Sequence, residues 1–185
     1  MTYKQIILDS LGNLEEFESE MLPDGTELIG RVPHVAPEAG LHLFFAPATD
    51  EQIQNIQDQI GTLLPSDYAN FLLEFNGISL FSNALYLYGA RKNYKRSGND
   101  VWQPFDIVVP NTLERPDALE SSEIIIGGYT LDGSRLCMNR ASGEIFRIDR
   151  LATGSVLNRW PDLKVFLREE IARLLTERKY DERSE

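Results

Sequence analysis

Apolar residues recur every three or four positions in four stretches of the chain, and each such stretch predicts an amphipathic helix. The first carries Tyr3, Ile7, Leu11, Leu14, Phe17 and Met21. Gly12-Asn13 weakens its middle and marks where it breaks into two pieces. The second opens at Thr49, which with Gln52 fits a capping box, and Asp50 and Glu51 suit its first turn. Ile53, Ile56 and Ile60 form its stripe and Gly61 closes it. The third follows almost at once. Pro65 has no N–H and a fixed φ, so it suits the first helical position. Tyr68, Phe71, Leu72 and Phe75 share one face, and Asn76-Gly77 stops the helix. The last begins at Trp160-Pro161-Asp162 and carries Leu163, Phe166, Leu167, Ile171, Leu174 and Leu175. That face is wide enough to demand a docking surface, and the sheet is the expected one. Residues 180–185 should fray.

Between these stretches lie short β-branched and aromatic runs that predict strands. They are 41–45, 85–88 before Gly89, 107–109, 124–126, 135–138 and 144–148. The last three are linked by Gly127-Gly128, Asp132-Gly133 and Ala141-Ser142-Gly143, the residues of hairpin turns, so they read as an antiparallel meander. Pro23-Asp24-Gly25 is a turn signal, and Pro33, Pro37 and Pro47 keep 26–47 extended and irregular. The pattern predicts an α+β fold: a mostly antiparallel sheet of about five to six strands with helices packed on it, including N-terminal and C-terminal helices. The expected division is 1–40 as an N-terminal helical extension, 41–178 as the main domain and 179–185 as a frayed tail.

Charge adds a direction to this picture. The net formal charge is −11. Residues 1–75 hold 13 acids and two bases, Lys4 and Arg31, whereas residues 76–185 hold 16 of each sign. All the net charge therefore belongs to the first part of the chain. Such a surface repels phosphates and attracts basic partners over about 8 Å at physiological salt. The expectation is a protein partner, with neither nucleic acid nor membrane bound. Arg91, Lys92, Lys95 and Arg96 beside Tyr94 are too isolated a basic run to change this, and they read as a solvated loop. There is no apolar run of membrane-spanning length. The first residues lack the basic and apolar regions of a signal peptide. With a single cysteine, Cys137, these features point to the cytoplasm.

The catalytic inventory is thin. His34 and His42 have no carboxylate at ligand spacing and read as turn or surface histidines, so no metal site is expected. Cys137 lies between Leu136 and Met138 and reads as a buried, inert thiol. Gly127-Gly128 and Gly133 match neither a phosphate loop nor a dinucleotide fingerprint. Ser134 lacks the glycines of a nucleophile elbow. No enzymatic activity and no cofactor are expected.

Ala48-Thr49-Asp50-Glu51-Gln52-Ile53, Leu64-Pro65-Ser66-Asp67-Tyr68, Phe71-Leu72 and Asn76-Gly77 together resemble the SUKH superfamily. That superfamily takes its name from a fungal cell-wall-synthesis regulator and its bacterial relatives. Ile126-Gly127-Gly128, Asp132-Gly133, Gly143-Glu144-Ile145-Phe146 and the last helix extend the likeness to about residues 41–175. Two departures stand out: Ile78-Ser79 follows Asn-Gly where many relatives have a second glycine, and Arg147-Ile148-Asp149-Arg150 replaces an aromatic-Asp-His ending. The resemblance implies a binding module, most often an immunity protein that neutralises a cognate toxin, commonly a basic nuclease domain. The alternative it implies is a regulatory or scaffolding protein of the cell-wall-regulator type. Pro65, Tyr68, Phe71, Asn76 and Gly77 are then structural motif residues. The candidate partner-binding residues are acids beside the core helices: Glu15, Glu16, Glu20, Asp50, Glu51 and Asp58.

Overall fold

Strand-forming segments separated by short turns can pair with their sequence neighbours at little loop-closure cost, and most neighbouring strands of this chain are joined that way. The computed structural model describes residues 1–12, 18–32, 39–94, 102–151 and 155–181, the side chains of 178–181 apart. Among these described residues five helices are seen: α1 (Tyr3–Leu11), α2 (Asp50–Ile60), α3 (Ser66–Glu74), α4 (Val108–Asn111) and α5 (Leu163–Asp181). The strands are β1 (Ser19–Met21), β2 (Glu27–Arg31), β3 (Gly40–Phe44), β4 (Ile78–Leu80), β5 (Leu85–Leu87), β6 (Glu123–Tyr129), β7 (Arg135–Asn139), β8 (Ile145–Ile148) and β9 (Val156–Trp160). They form one antiparallel sheet in the order β1 to β9, each strand beside its sequence neighbours. The α+β class is as read from the sequence, but the sheet has nine strands rather than five or six.

The differences have local causes. Gly12, at φ 77°, caps α1 through its N–H to Leu8 O, so the helix ends at Leu11 and does not reach Met21. Ser19–Met21 is instead β1, paired with β2 and exposed throughout. With no buried alternation, nothing in its pattern marks it as a strand. Ile107-Val108-Val109 is not a strand. The Asp106 carboxylate accepts from Val108 N (3.0 Å) and Val109 N (3.4 Å) and turns the chain into α4. β4 is only three residues long and β9 is exposed over its first four residues with no apolar alternation, so neither rises above a loop in the sequence. Pro65 sits at the N-cap of α3, one residue before the helix.

The main core lies between one face of the sheet and the helices. α3 contributes Tyr68, Phe71 and Leu72, all fully buried, and α5 contributes Leu163, Phe166, Leu167 and Ile171. α1 adds Tyr3, Ile6, Ile7 and Leu11 to the same cluster and packs along α5. Each such side chain stabilises the fold by about 1.5–3 kcal/mol. The other face carries a smaller cluster, Ile125, Cys137, Phe146 and Ile148, against which Leu119 and Tyr88 pack. Ile145 and Phe146, adjacent in β8, therefore serve opposite faces, as the period of two requires.

Polar groups complete the packing. The Tyr68 hydroxyl lies 2.6 Å from Tyr88 O and 2.9 Å from Ile126 O, anchoring α3 across β5 and β6. Buried Glu170 of α5 is neutralised by Arg173. The turn from β4 to β5 holds Phe81, Ser82 and Asn83 at positive φ, a left-handed run that side chains disfavour. It is pinned by Ser82 N to Leu41 O (2.8 Å) and by the Thr130 hydroxyl to Asn83 O (2.6 Å).

Tyr68→Phe keeps the ring but deprives the two carbonyls of their shared donor. A loss of about 1–3 kcal/mol is expected in urea unfolding, with an unchanged m-value.

Candidate protein-binding surface

α2 begins as its sequence dictates. The Thr49 hydroxyl accepts from Gln52 N (3.2 Å) and the Gln52 amide oxygen accepts from Thr49 N (2.9 Å), a complete capping box. Gly61 takes the left-handed conformation that ends it. Ile53 and Ile56 are buried, which turns Asp50, Glu51, Gln54, Asn55, Asp58 and Gln59 to solvent. No base lies on the helix. Glu51, Asn55 and Asp58 are spaced by four and three, so they form one ridge. Gln54 donates to Asp58 Oδ1 (2.8 Å) and steadies that carboxylate.

Beside this ridge is a cleft of about 540 Å³. Asn55, Ile56 and Gln59 of α2 form one wall, residues 90–94 another, and Asp106, Val108, Val109 and Leu113 close it around α4. The wall at 90–94 is built by Asn76. Its side-chain amide donates to Ala90 O (2.9 Å) and accepts from Ala90 N (2.6 Å), so it pairs with the backbone as a strand residue would. Asn76-Gly77 therefore does more than stop α3, whose C-cap is Phe75. Gly77 holds φ 86°, and a Cβ on Gly89 would lie 2.3 Å from Asn76 O, so the crossing needs both glycines.

The start of the basic run is correspondingly structured, in contrast to the solvated loop read from composition. Arg91 donates to Asn93 O (2.9 Å) and Pro104 O (3.2 Å), with its guanidinium 4.9 Å from the Tyr94 ring centroid. The Tyr94 hydroxyl donates to Asp106 Oδ2 (2.7 Å), and that carboxylate raises the phenol above its ordinary pKa. Lys95 and Arg96 lie outside the described residues. Sequence reasoning missed this cleft. Its one local signal was Tyr94 among the bases, and the partners that order it, Pro104 and Asp106, come from a distant segment.

Of the six candidate acids, the four described ones lie on two different elements. Asp50, Glu51 and Asp58 share the exposed side of α2. Glu20 lies on the edge strand β1, where Arg31 takes its carboxylate, and no hydrogen bond or ion pair joins it to the acids of α2. Glu15 and Glu16 lie outside the described residues, as does His34. The structural motif residues are elsewhere: Tyr68 and Phe71 are in the core, and Pro65, Asn76 and Gly77 shape its borders.

His42 is buried in β3 and is not a turn or surface residue. Its Nδ1 accepts from Phe81 N (3.4 Å) and its ring meets Phe81 edge-on. Cys137 is buried in β7. Burial, with the nearby Glu123 charge adding to it, pushes the thiol up to about 12, away from any thiolate chemistry at neutral pH. Among the described residues no group of three or more His, Cys, Asp or Glu converges as metal ligands do, and no helix is long and apolar enough to cross a membrane. What the arrangement offers is a charged ridge beside a part-apolar cleft, a form suited to binding another protein.

Asn76→Ala removes both bonds to Ala90 and leaves its part-buried N–H and C=O without those partners. A loss of about 1–3 kcal/mol is expected, together with faster hydrogen exchange over 89–94 than over α3. Equal protection of both segments would show that Asn76 does not hold this wall.

Comparison with known proteins agrees with the motif residues. The profile of the SMI1 / KNR4 family (SUKH-1) matches residues 47–169, from the approach to α2 into α5. No curated protein matches the chain. The match spans well over half of the sequence and includes α2, α3, the Asn-Gly crossing and the meander, so the chain belongs to the SMI1 / KNR4 family (SUKH-1), whose members generally act through protein interaction and not catalysis.

Proposed function

We propose that this chain is an immunity-type protein that acts in the cytoplasm, binding a basic toxin domain and neutralising it. The observation that carries the reading is the acidic ridge of α2. Asp50, Glu51 and Asp58 are exposed on a helix without a base, and Asn55, Ile56 and Gln59 of the same helix line a cleft able to take a partner's side chain. A nuclease domain suits this ridge well, because a surface that binds phosphates is basic. Carboxylates held on a rigid helix attract such a surface and obstruct access to it. Family membership supports the same direction, since it favours interaction over catalysis.

The test is binding of the purified chain to any toxin domain encoded beside its gene. Tight binding with loss of toxicity is expected. Binding without any effect on toxicity would favour the regulatory or scaffolding reading instead. Reversing Asp50, Glu51 and Asp58 to Lys is expected to slow association about tenfold or more at low salt and to flatten its salt dependence, with little change in stability. Unchanged association kinetics in a folded triple variant would exclude the ridge as the steering surface.

A further inference from the structure

A sheet that does not close has two edges, and here they are β1 and β9. The two are not equivalent. β1 is three residues long and carries Glu20, with Glu18 just before it. β9 is five residues long, and its first four are all exposed, including Val156 at 38% and Leu157 at 49%. Four successive exposed residues mean that, among the described residues, no helix covers either face of β9 before Trp160. Its pairing with β8 skips Leu157 at a bulge. Beside the strand lies a groove of about 190 Å³ lined by Leu119, Phe146, Ile148, Val156 and Arg159, with Glu120 and Glu123 at its rim.

Charge decides what can lie against each edge. Pairing β1 with a second β1 about its central residue offers only three residues a side and brings two Glu20 carboxylates, each with its Arg31 partner, face to face, where like charges disfavour the pairing. Pairing β1 of one copy with β9 of another is head-to-tail and generates an open array. Antiparallel pairing of β9 with itself about Asn158 sets Leu157 opposite Arg159 of the second copy. Like charges are then not opposed, and the aliphatic stem of the arginine covers the leucine. Each Arg159 is already balanced by Glu144 at 2.9 Å. The wider distribution favours the same edge. The excess of 11 negative charges belongs to residues 1–75, which include β1, β2 and β3 at the far side of the sheet, whereas residues 76–185 are neutral. Joining two copies at β9 therefore keeps the acidic β1 edges apart.

We propose that β9 is a self-association edge, through which two copies of this chain form a two-fold dimer with one sheet continuous across the interface. Apolar side chains of one β9 pack at the groove beside the other. The interface is small, and the bulge limits its ladder, so the dimer is reversible and of the weak, transient class. It leaves both acidic edges facing outward. The inference does not rest on the toxin reading, because it needs no second protein.

Sedimentation velocity of the full chain over a concentration series tests it. A monomer–dimer equilibrium is expected that strengthens with added salt, as screening reduces repulsion between two negatively charged copies. Asn158→Pro removes an N–H from the edge while remaining compatible with an edge strand, and Leu157→Lys charges the contact. Each is expected to raise the dissociation constant at least about tenfold, equivalent to about 1.4 kcal/mol, whereas Met21→Lys on β1 leaves it unchanged. Since Asn158→Pro also perturbs the fold if it distorts β8, the surface variant Leu157→Lys is the deciding one. A chain that stays monomeric at the highest concentration reached, a dimer that survives Leu157→Lys, or one dispersed by Met21→Lys would each overturn the proposal.

Discussion

One hydroxyl holds the two halves of the fold in register. Tyr68 enters from α3, is fully buried, and places its oxygen against the carbonyls of Tyr88 and Ile126. Burial keeps the phenol protonated far above its ordinary range, so it remains a donor at any physiological pH. A hydrogen bond inside a low-dielectric core is costly to leave unmade, which makes such a contact specific as well as stabilising. Phe71 and Leu72 on the same helix fill the space beside it. The position of α3 then sets the chain that leaves it, and so the Asn76-Gly77 crossing.

Two buried asparagines extend this logic. Asn76 pairs with the backbone of Ala90, and Asn111 donates to Ile107 O and Ile125 O while accepting from Ile125 N. Each side-chain amide supplies the donor and acceptor of a peptide group where no strand can reach. One secures the wall of the cleft at 90–94. The other fastens α4, the opposite wall, to β6. The cleft is thus bounded by fixed elements, and the acids of α2 project from a helix capped at both ends. A partner meeting this surface pays little to order it.

Much of this was legible beforehand where the signal is local. The capping box of α2, the face of α3, the hairpins of β6 to β8 and the burial of Cys137 each follow from neighbouring residues. What was missed turns on particular side-chain partners, several of them on other elements. Val108 and Val109 favour a strand by propensity, but Asp106 caps them into a turn of helix and Asn111 holds that turn on β6. His42 looked polar and exposed because its burial against Phe81 is set by the β4–β5 turn. Arg91 looked like part of a solvated run because its acceptors, Asn93 and Pro104, come from the folded path of the backbone. Glu20 and the acids of α2 looked equivalent in composition, yet the fold sets them on a sheet edge and on a helix.

Short-range chemistry in the amino-acid sequence was enough to determine the helix caps, the hairpin turns, the α+β class and the acidic bias of residues 1–75, because each depends on residues a few positions apart or on simple counting. Only the tertiary structure decided that the sheet has nine strands, that Asn76 and Asn111 stand in for missing backbone partners, and that a cleft opens beside the acidic ridge. The reason is physical: an edge strand without a buried face carries no periodic signal, and a side-chain amide reveals its partner only when folding brings a distant peptide group within hydrogen-bond reach.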